Sequence, residues 1–115
     1  SNISLFSGDD PAALPIFAVG GVGLISVASN AVPANIKELT DACLAGDYAT
    51  ARKLQYRYQR FFELMFAEVN PIPIKAACAL LGLCKPYMRL PLTQATDATT
   101  AALREEMKKL SFIEA

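Results

Sequence analysis

The stretch FAVGGVGLISVASN, residues Phe17–Asn30, decides the fold class of this 115-residue chain. Its glycines, Gly20, Gly21 and Gly23, come before the apolar run Leu24–Val27. A phosphate-binding loop has the opposite order: a strand, then glycines, then a helix whose N–H groups face the anion. The stretch therefore predicts a strand that is entered through a glycine turn, and it argues against a nucleotide site.

The same stretch lies in a long uncharged segment, since no charged residue occurs between Asp10 and Lys37. That length is enough to cross a bilayer of about 30 Å. Prolines, glycines and small polar residues divide the segment into short pieces, and a strand would leave unpaired backbone groups in lipid. No basic region precedes it, as a signal peptide requires. We expect a deeply buried segment and no membrane partner.

Composition excludes several classes of site. The chain has 11 basic and 11 acidic residues, so its net charge is zero and predicts no nucleic-acid partner. Histidine is absent, which removes Ser-His and Cys-His dyads and most zinc chemistry from this chain. The three cysteines lack metal-ligand spacing, and their odd number argues against a disulfide framework. We expect no metal, and a reducing cytoplasm as the compartment.

Apolar runs and turn formers predict two strands, Ile3–Phe6 and Leu24–Val27, separated by a short helix. Asp10 followed by Pro11 is typical of a helix start, with the carboxylate as N-cap. Gly20 is expected to end this helix in a left-handed conformation.

Helical periodicity then predicts four more helices. Pro33 opens the first, Asp47 caps the second, Pro73 opens the third after an extended segment Asn70–Pro73, and Asp97 caps the last. The predicted core positions recur at helical spacing: Ile36, Leu39, Ala42, Cys43, Ala51, Leu54, Tyr58, Phe61, Phe62, Met65, Ile74, Ala77, Cys78, Leu81, Leu103, Met107 and Leu110. The second of these helices has a basic side, which is interpreted as a solvated helix face and consists of Arg52, Lys53, Arg57 and Arg60.

Two strands joined through a helix are normally parallel, and parallel sheets are normally covered on both faces. Two strands do not make a stable parallel sheet, because three or more are usually needed. We therefore expect the rest of the sheet to come from absent sequence, a cleaved companion segment or a partner chain.

Both predicted strands end in polar or small residues, where α/β enzymes place their chemistry. After the first strand, Asp9 and Asp10 could act as helix caps or as ligand contacts. After the second, a backbone N–H within Ile25–Asn30 could meet a substrate carboxylate, or the run could be plain core. Lys75 could be a Schiff-base amine, but its place in the first turns of an amphipathic helix favours a surface role.

Four motifs in this order resemble the dihydrodipicolinate synthase family: SGDD at Ser7–Asp10, GGVGLISV at Gly20–Val27, NPIPIK at Asn70–Lys75 and RLPLT at Arg89–Thr93. The resemblance covers essentially the whole chain. The glycine-strand motif alone would fit the wider superfamily of pyruvate-dependent aldolases and lyases, and the motifs NPIPIK and RLPLT narrow the match to this family.

The resemblance implies an α/β fold, the C-terminal part of a (β/α)8 TIM barrel with a C-terminal helical extension. Residues 1–46 would supply the last two βα units and residues 47–115 the helical region. It implies a cytoplasmic Schiff-base lyase without a cofactor, which condenses pyruvate with aspartate semialdehyde in lysine biosynthesis. Its partners would be the missing N-terminal part of the barrel and further copies, as a tetramer or dimer.

The resemblance also implies a set of substrate-binding residues. Gly8 and Asp9 would lie near the second substrate, the backbone of Ile25 would meet the bound keto acid, and Asn70 would lie at the pocket edge. The lysine that forms the imine belongs to an earlier strand, so the chain would contain no catalytic residue and be inactive alone. Two alternatives remain: a related lyase acting on N-acetylneuraminate or a keto-deoxy sugar acid, and a non-catalytic helical interaction module.

Overall fold

Two short parallel strands and five α-helices form the part of the chain that the computed structural model describes, residues 2–115. In chain order they are β1 (Phe6–Ser7), α1 (Ala13–Ala18), β2 (Gly23–Leu24), α2 (Pro33–Leu44), α3 (Tyr48–Leu64), α4 (Ile72–Leu80) and α5 (Asp97–Lys109). A 3-10 turn, Ala28–Asn30, precedes α2. The predicted order of elements is confirmed. None of these helices combines the length and apolarity needed to cross a bilayer.

The strands pair in parallel, as predicted, with Phe6 opposite Gly23 and Ser7 opposite Leu24. The ladder extends one bond beyond each end, because Val22 N–H donates to the Leu5 carbonyl and Ile25 N–H to the Ser7 carbonyl, both at 2.8 Å. Many apolar side chains at the strands and their approaches stay exposed: Ile3, Leu5, Phe6, Val19, Val22 and Ile25. The described residues therefore do not cover the two-stranded sheet.

Both predicted strand ranges are wrong in their bounds. Residues Ile3–Leu5 are exposed and lie outside the paired residues, although the Leu5 carbonyl accepts from Val22 N–H, so β1 begins only at Phe6. Beyond Ile25 the chain leaves the extended conformation, and Val27 adopts helical dihedrals at φ −75° and ψ −48°. The cause is tertiary: a carboxylate from the loop after β1 accepts hydrogen bonds from this turn, as described below.

The chain divides into two compact units, one up to Gln59 and one from Arg60 onward, with the boundary inside α3. In the first unit α1 packs on α2, and the 3-10 turn packs against the same helix. Its buried apolar residues include Ala13, Phe17, Ile36, Leu39, Cys43, Ala51, Leu54 and Tyr58. The predicted division at residues 46 and 47 stays a prediction.

In the second unit α4 packs against α5. Its core contains Phe61, Phe62, Met65, Ile72, Ile74, Ala77, Leu103, Met107 and Leu110. The Phe61 ring meets Phe112 edge-on, with centroids 5.4 Å apart and an interplanar angle of 76°, a favoured aromatic geometry. Of the residues predicted for the core, Ala42, Cys78 and Leu81 are only half-buried, and the others are buried.

Helix starts differ from the sequence predictions in three places. Helix α1 begins at Ala13 without a side-chain cap, so Asp10 is not its N-cap. Asp97 is the first residue of α5, and the cap is Thr96, whose hydroxyl accepts from Thr99 N–H. Asn70 lies in a turn and α4 already begins at Ile72, so the predicted extended segment is wrong.

Other helix ends agree with the predictions. The Asp47 carboxylate accepts from Thr50 N–H at 3.1 Å, as an N-cap does. Thr50 is also the main reason that the pKa of Asp47 is lowered. Gly20 ends α1 at a φ of +104°, a conformation that glycine adopts without strain.

Gly21 allows the chain to pass close to α1 before it enters β2. A Cβ at this position would lie 2.7 Å from Ile16 Cγ2 and 2.8 Å from the Ile16 carbonyl oxygen. That carbonyl also accepts a 2.8 Å hydrogen bond from Gly21 N–H, which holds the backbones together.

We expect Gly21→Ala to destabilise the full-length protein by about 1–3 kcal/mol, the usual cost of overpacking a tight site. Urea unfolding measures the change. The control is Gly8→Ala, because a Cβ at Gly8 meets no atom within 4 Å. Equal stability of the two variants would contradict the close approach.

Candidate functional site

The carboxyl ends of β1 and β2 lie side by side, because the strands are parallel and in register. Gly8 and Asp9 follow β1, and Ile25 follows β2. The hydrogen bond from Ile25 N–H to the Ser7 carbonyl joins the two ends directly. The structure therefore brings together three of the four predicted site residues.

Asp10 ties the loop after β1 to the turn after β2. Its side chain is buried, and one carboxylate oxygen accepts from the Ser26 hydroxyl. The other oxygen accepts from the N–H groups of Val27 and Ala28, both at 3.0 Å. Asp10 therefore caps the 3-10 turn of the neighbouring strand and not the helix that follows it in sequence.

A second layer of hydrogen bonds supports Asp10 from α3. The side-chain amide of Gln55 donates to the carbonyls of Asp10 and Pro11, both at 3.2 Å. Gln55 is itself buried. The loop after β1 is thus held on both sides, which fixes the position of the residues that precede Asp10.

Asp9 differs from Asp10 in the environment of its carboxylate. Ser7 Oγ donates to the Asp9 carbonyl at 2.8 Å, and Asp9 N–H lies 3.3 Å from the same hydroxyl oxygen. These contacts fix its backbone, while the carboxylate is exposed and has no hydrogen-bond donor within residues 2–115. Of the two predicted roles, capping belongs to Asp10 at another element, and Asp9 presents a free carboxylate beside Gly8.

A backbone N–H within Ile25–Asn30 was expected to be able to meet a substrate carboxylate, and five of these N–H groups already donate within the chain. Ile25, Val27 and Ala28 donate as described above, Ser29 donates to Ser26 Oγ, and Asn30 donates to the Val27 carbonyl. A contact between the Ile25 backbone and a ligand would therefore use its carbonyl oxygen. The Ile25 side chain is 69% exposed.

Asn70, the fourth predicted site residue, lies in the second unit, where it is exposed in the turn before α4. The two motifs of this unit lie together. Residues of NPIPIK and RLPLT line one open cavity of about 540 Å³, whose walls are Pro71, Lys75, Tyr87, Met88, Arg89 and Leu92.

Lysine is absent from both strands and from the loops at their carboxyl ends. The six lysines lie on α2 to α5 or in the segment after α4: Lys37, Lys53, Lys75, Lys85, Lys108 and Lys109. All are exposed except Lys75, which is half-buried on α4. Within residues 2–115, no group of three or more potential ligands is arranged to hold a metal ion.

The pairing of Asp10 with Ser26 is what the sequence interpretation missed. The only available signal was Ser26 itself, the polar residue that interrupts the apolar run Leu24–Val27. Its position in the run does not say which group it meets, because its partner is 16 residues away.

Comparison with known proteins gives matches over nearly the whole chain. The model of the dihydrodipicolinate synthetase family matches residues 1–110. The chain is 45% identical over 111 residues to the 4-hydroxy-tetrahydrodipicolinate synthase of Aquifex aeolicus, covering 96% of this chain and 38% of that protein. It is 44% identical over 110 residues to the enzyme of that name from Methanosarcina mazei, covering 96% and 38%.

Solved structures agree with the sequence matches. The crystal structure of dihydrodipicolinate synthase from Aquifex aeolicus superposes with a TM-score of 0.93 at 44% identity, over 97% of this chain and 38% of that one. The pyruvate complex of the Acinetobacter baumannii enzyme gives a TM-score of 0.92 at 32% identity, over 96% and 38%. The chain therefore spans about 38% of the length of the relatives it matches.

Proposed function

Because the chain belongs to the dihydrodipicolinate synthetase family, we propose that the intact protein condenses pyruvate with aspartate semialdehyde, as a 4-hydroxy-tetrahydrodipicolinate synthase in lysine biosynthesis. The supporting observation is the pair of adjacent strand ends, with an exposed carboxylate at Asp9 and an internally bonded one at Asp10. This is the end at which barrel enzymes carry out their chemistry.

The predicted fold class is confirmed, since the matching structures are TIM-barrel enzymes and the chain corresponds to part of such a barrel. We propose that it is the C-terminal part, supplying the last two strands. The exposed apolar side chains on β1 and just after β2, with Phe6 53% and Ile25 69% exposed, would then meet the rest of the barrel. These exposed side chains do not fit the alternative of a self-contained helical interaction module.

Each site residue has a proposed role. Asp9, rigid in its backbone and free in its carboxylate, would bind the polar groups of aspartate semialdehyde, and Gly8 leaves room beside it. The Ile25 carbonyl would lie against the bound keto acid. Asn70 would lie at the edge of the pocket. The imine on which pyruvate is activated would form on a lysine outside these 115 residues, so the chain alone would be inactive.

Further properties follow from the same family membership. We propose a cytoplasmic enzyme that works as a homotetramer or homodimer. The barrel is complete only with its remaining strands, so we expect assembly to depend on them.

Assay of the full-length protein with candidate substrates tests the proposed reaction. We expect the protein to condense pyruvate with aspartate semialdehyde. Product formation is measured by coupling it to reduction of the product. Cleavage of N-acetylneuraminate or a keto-deoxy sugar acid, without the condensation, would replace the proposal with the related lyase.

Replacing Asp9 tests its role. We expect Asp9→Ala to raise KM for aspartate semialdehyde about tenfold, because a hydrogen bond to a charged group contributes about 1.5–3 kcal/mol. KM for pyruvate and the unfolding midpoint should change little. The control is Asp41→Ala, which removes an exposed carboxylate that pairs with Lys37 on α2. An unchanged KM in the Asp9 variant would remove Asp9 from the site.

A further inference from the structure

We propose that Cys78 and Cys84 form an oxidisable thiol pair, which takes an intrachain disulfide at the C-terminal end of α4. Both residues carry thiols in the structure. Neither belongs to the proposed substrate site, and no step of the proposed reaction uses them.

The chain reverses direction between the two cysteines. Gly82, at a φ of +76°, follows α4, and its N–H donates to the Ala79 carbonyl at 3.0 Å. The next N–H, of Leu83, donates to the Cys78 carbonyl at 3.0 Å. This pair of bonds is the Schellman arrangement of a helix C-terminus, and it turns Cys84 back toward the helix.

Both cysteines lie beside the turn of α4 that contains Lys75. Cys84 Sγ contacts the Lys75 carbonyl oxygen at 3.9 Å. Side chains on a helix lean toward its N-terminus, so Cys78 covers the turn that contains Lys75, three residues before it. Burial and the neighbouring Cys84 thiol raise the pKa of Cys78, and the Lys75 ammonium partly offsets this.

The exposure of the two thiols indicates which of them reacts first. Cys84 is exposed and Cys78 is half-buried, so a hydroperoxide reaches the Cys84 sulfur first. Attack on the peroxide breaks the O–O bond, gives the sulfenic acid of Cys84 and releases water or an alcohol. Cys78 then attacks that sulfur, the S–S bond forms and water leaves. The thiols lose two electrons, which the peroxide accepts.

The cross-link would fix the segment that follows α4. Cys84 and Lys85 line an open cavity of about 420 Å³ with Ala76 and Ala79 of α4 and Arg104 of α5. A bond from Cys84 to Cys78 would hold that wall of the cavity against α4.

The experiment uses the full-length protein, reduced and then treated with hydrogen peroxide, with remaining thiols alkylated before digestion. Trypsin leaves both cysteines on the peptide 76–89, because Pro86 prevents cleavage after Lys85. We expect this peptide to become lighter by two hydrogens, to resist alkylation, and to regain both thiols on reduction. Buried Cys43 should remain alkylatable after unfolding.

Serine variants distinguish the pair from an isolated reactive thiol. Cys78→Ser should divert Cys84 to sulfinic acid or to disulfides between chains, while Cys84→Ser should leave Cys78 reduced. Cys43→Ser is the matched control and should oxidise like the unmodified protein. The proposal is overturned if peptide 76–89 keeps both thiols. It is also overturned if Cys84 gives sulfinic acid or intermolecular disulfides equally with and without Cys78.

Discussion

Treatment of the full-length protein with pyruvate and borohydride is expected to label a lysine outside these 115 residues and none within them. The reaction needs an amine that is desolvated and held beside the substrate, because only the neutral amine attacks the keto group. Within the described chain five of the six lysines are exposed, and Lys75 is half-buried on α4. None lies at a strand end, where the site is expected.

Peptide mapping of the reduced protein measures this directly. One peptide should gain the mass of one reduced pyruvyl group, and the peptides that carry Lys37 to Lys109 should keep their masses. The 115-residue chain treated in parallel should show no stoichiometric gain. A stoichiometric label on any of these lysines would contradict both the inactivity of the chain and the proposed place of the imine.

Replacing Asp10 by asparagine should destabilise the full-length protein by about 3 kcal/mol, since hydrogen bonds to a charged group contribute about 1.5–3 kcal/mol each. The carboxylate accepts from Ser26, Val27 and Ala28 while buried. An amide can reproduce one acceptor oxygen, and its NH2 group would face donors. The turn after β2 should loosen together with the loop after β1.

The midpoint of urea unfolding measures the loss of stability, and hydrogen exchange at Val27 and Ala28 locates it. The matched control is Asp9→Asn, a change of the same chemistry one residue away, where the carboxylate is exposed and has no donor within the described chain. It should unfold near the unmodified midpoint. Equal effects of the two substitutions would mean that the bonds to Asp10 contribute little.

The helices were the most predictable part of this fold. Periodic apolar residues placed α2 and α3, and Gly20, which has a positive φ, follows α1 as predicted. These signals act within a few residues, through helical spacing and the conformational freedom of glycine. The error at the start of α5 was of the same local kind: Thr96 and Asp97 are adjacent potential caps, and sequence does not choose between them.

The site was predictable by resemblance and less so by pattern. Gly8, Asp9 and Ile25 were expected at one end of parallel strands, and the structure places them there. The reading of Asp10 was wrong for a physical reason. Aspartate before proline fits a helix cap locally, but the free N–H groups of Val27 and Ala28 lie within reach across the sheet.

The sequence by itself determined the order of elements, the glycine turn into β2 and the family, because each depends on residue type and short spacing. Only the tertiary structure decided that Asp10 is an internal anchor while the Asp9 carboxylate is exposed, and that apolar side chains at the strands stay exposed. Those facts depend on groups that are distant along the chain, and the partner of a buried carboxylate is chosen by proximity in space.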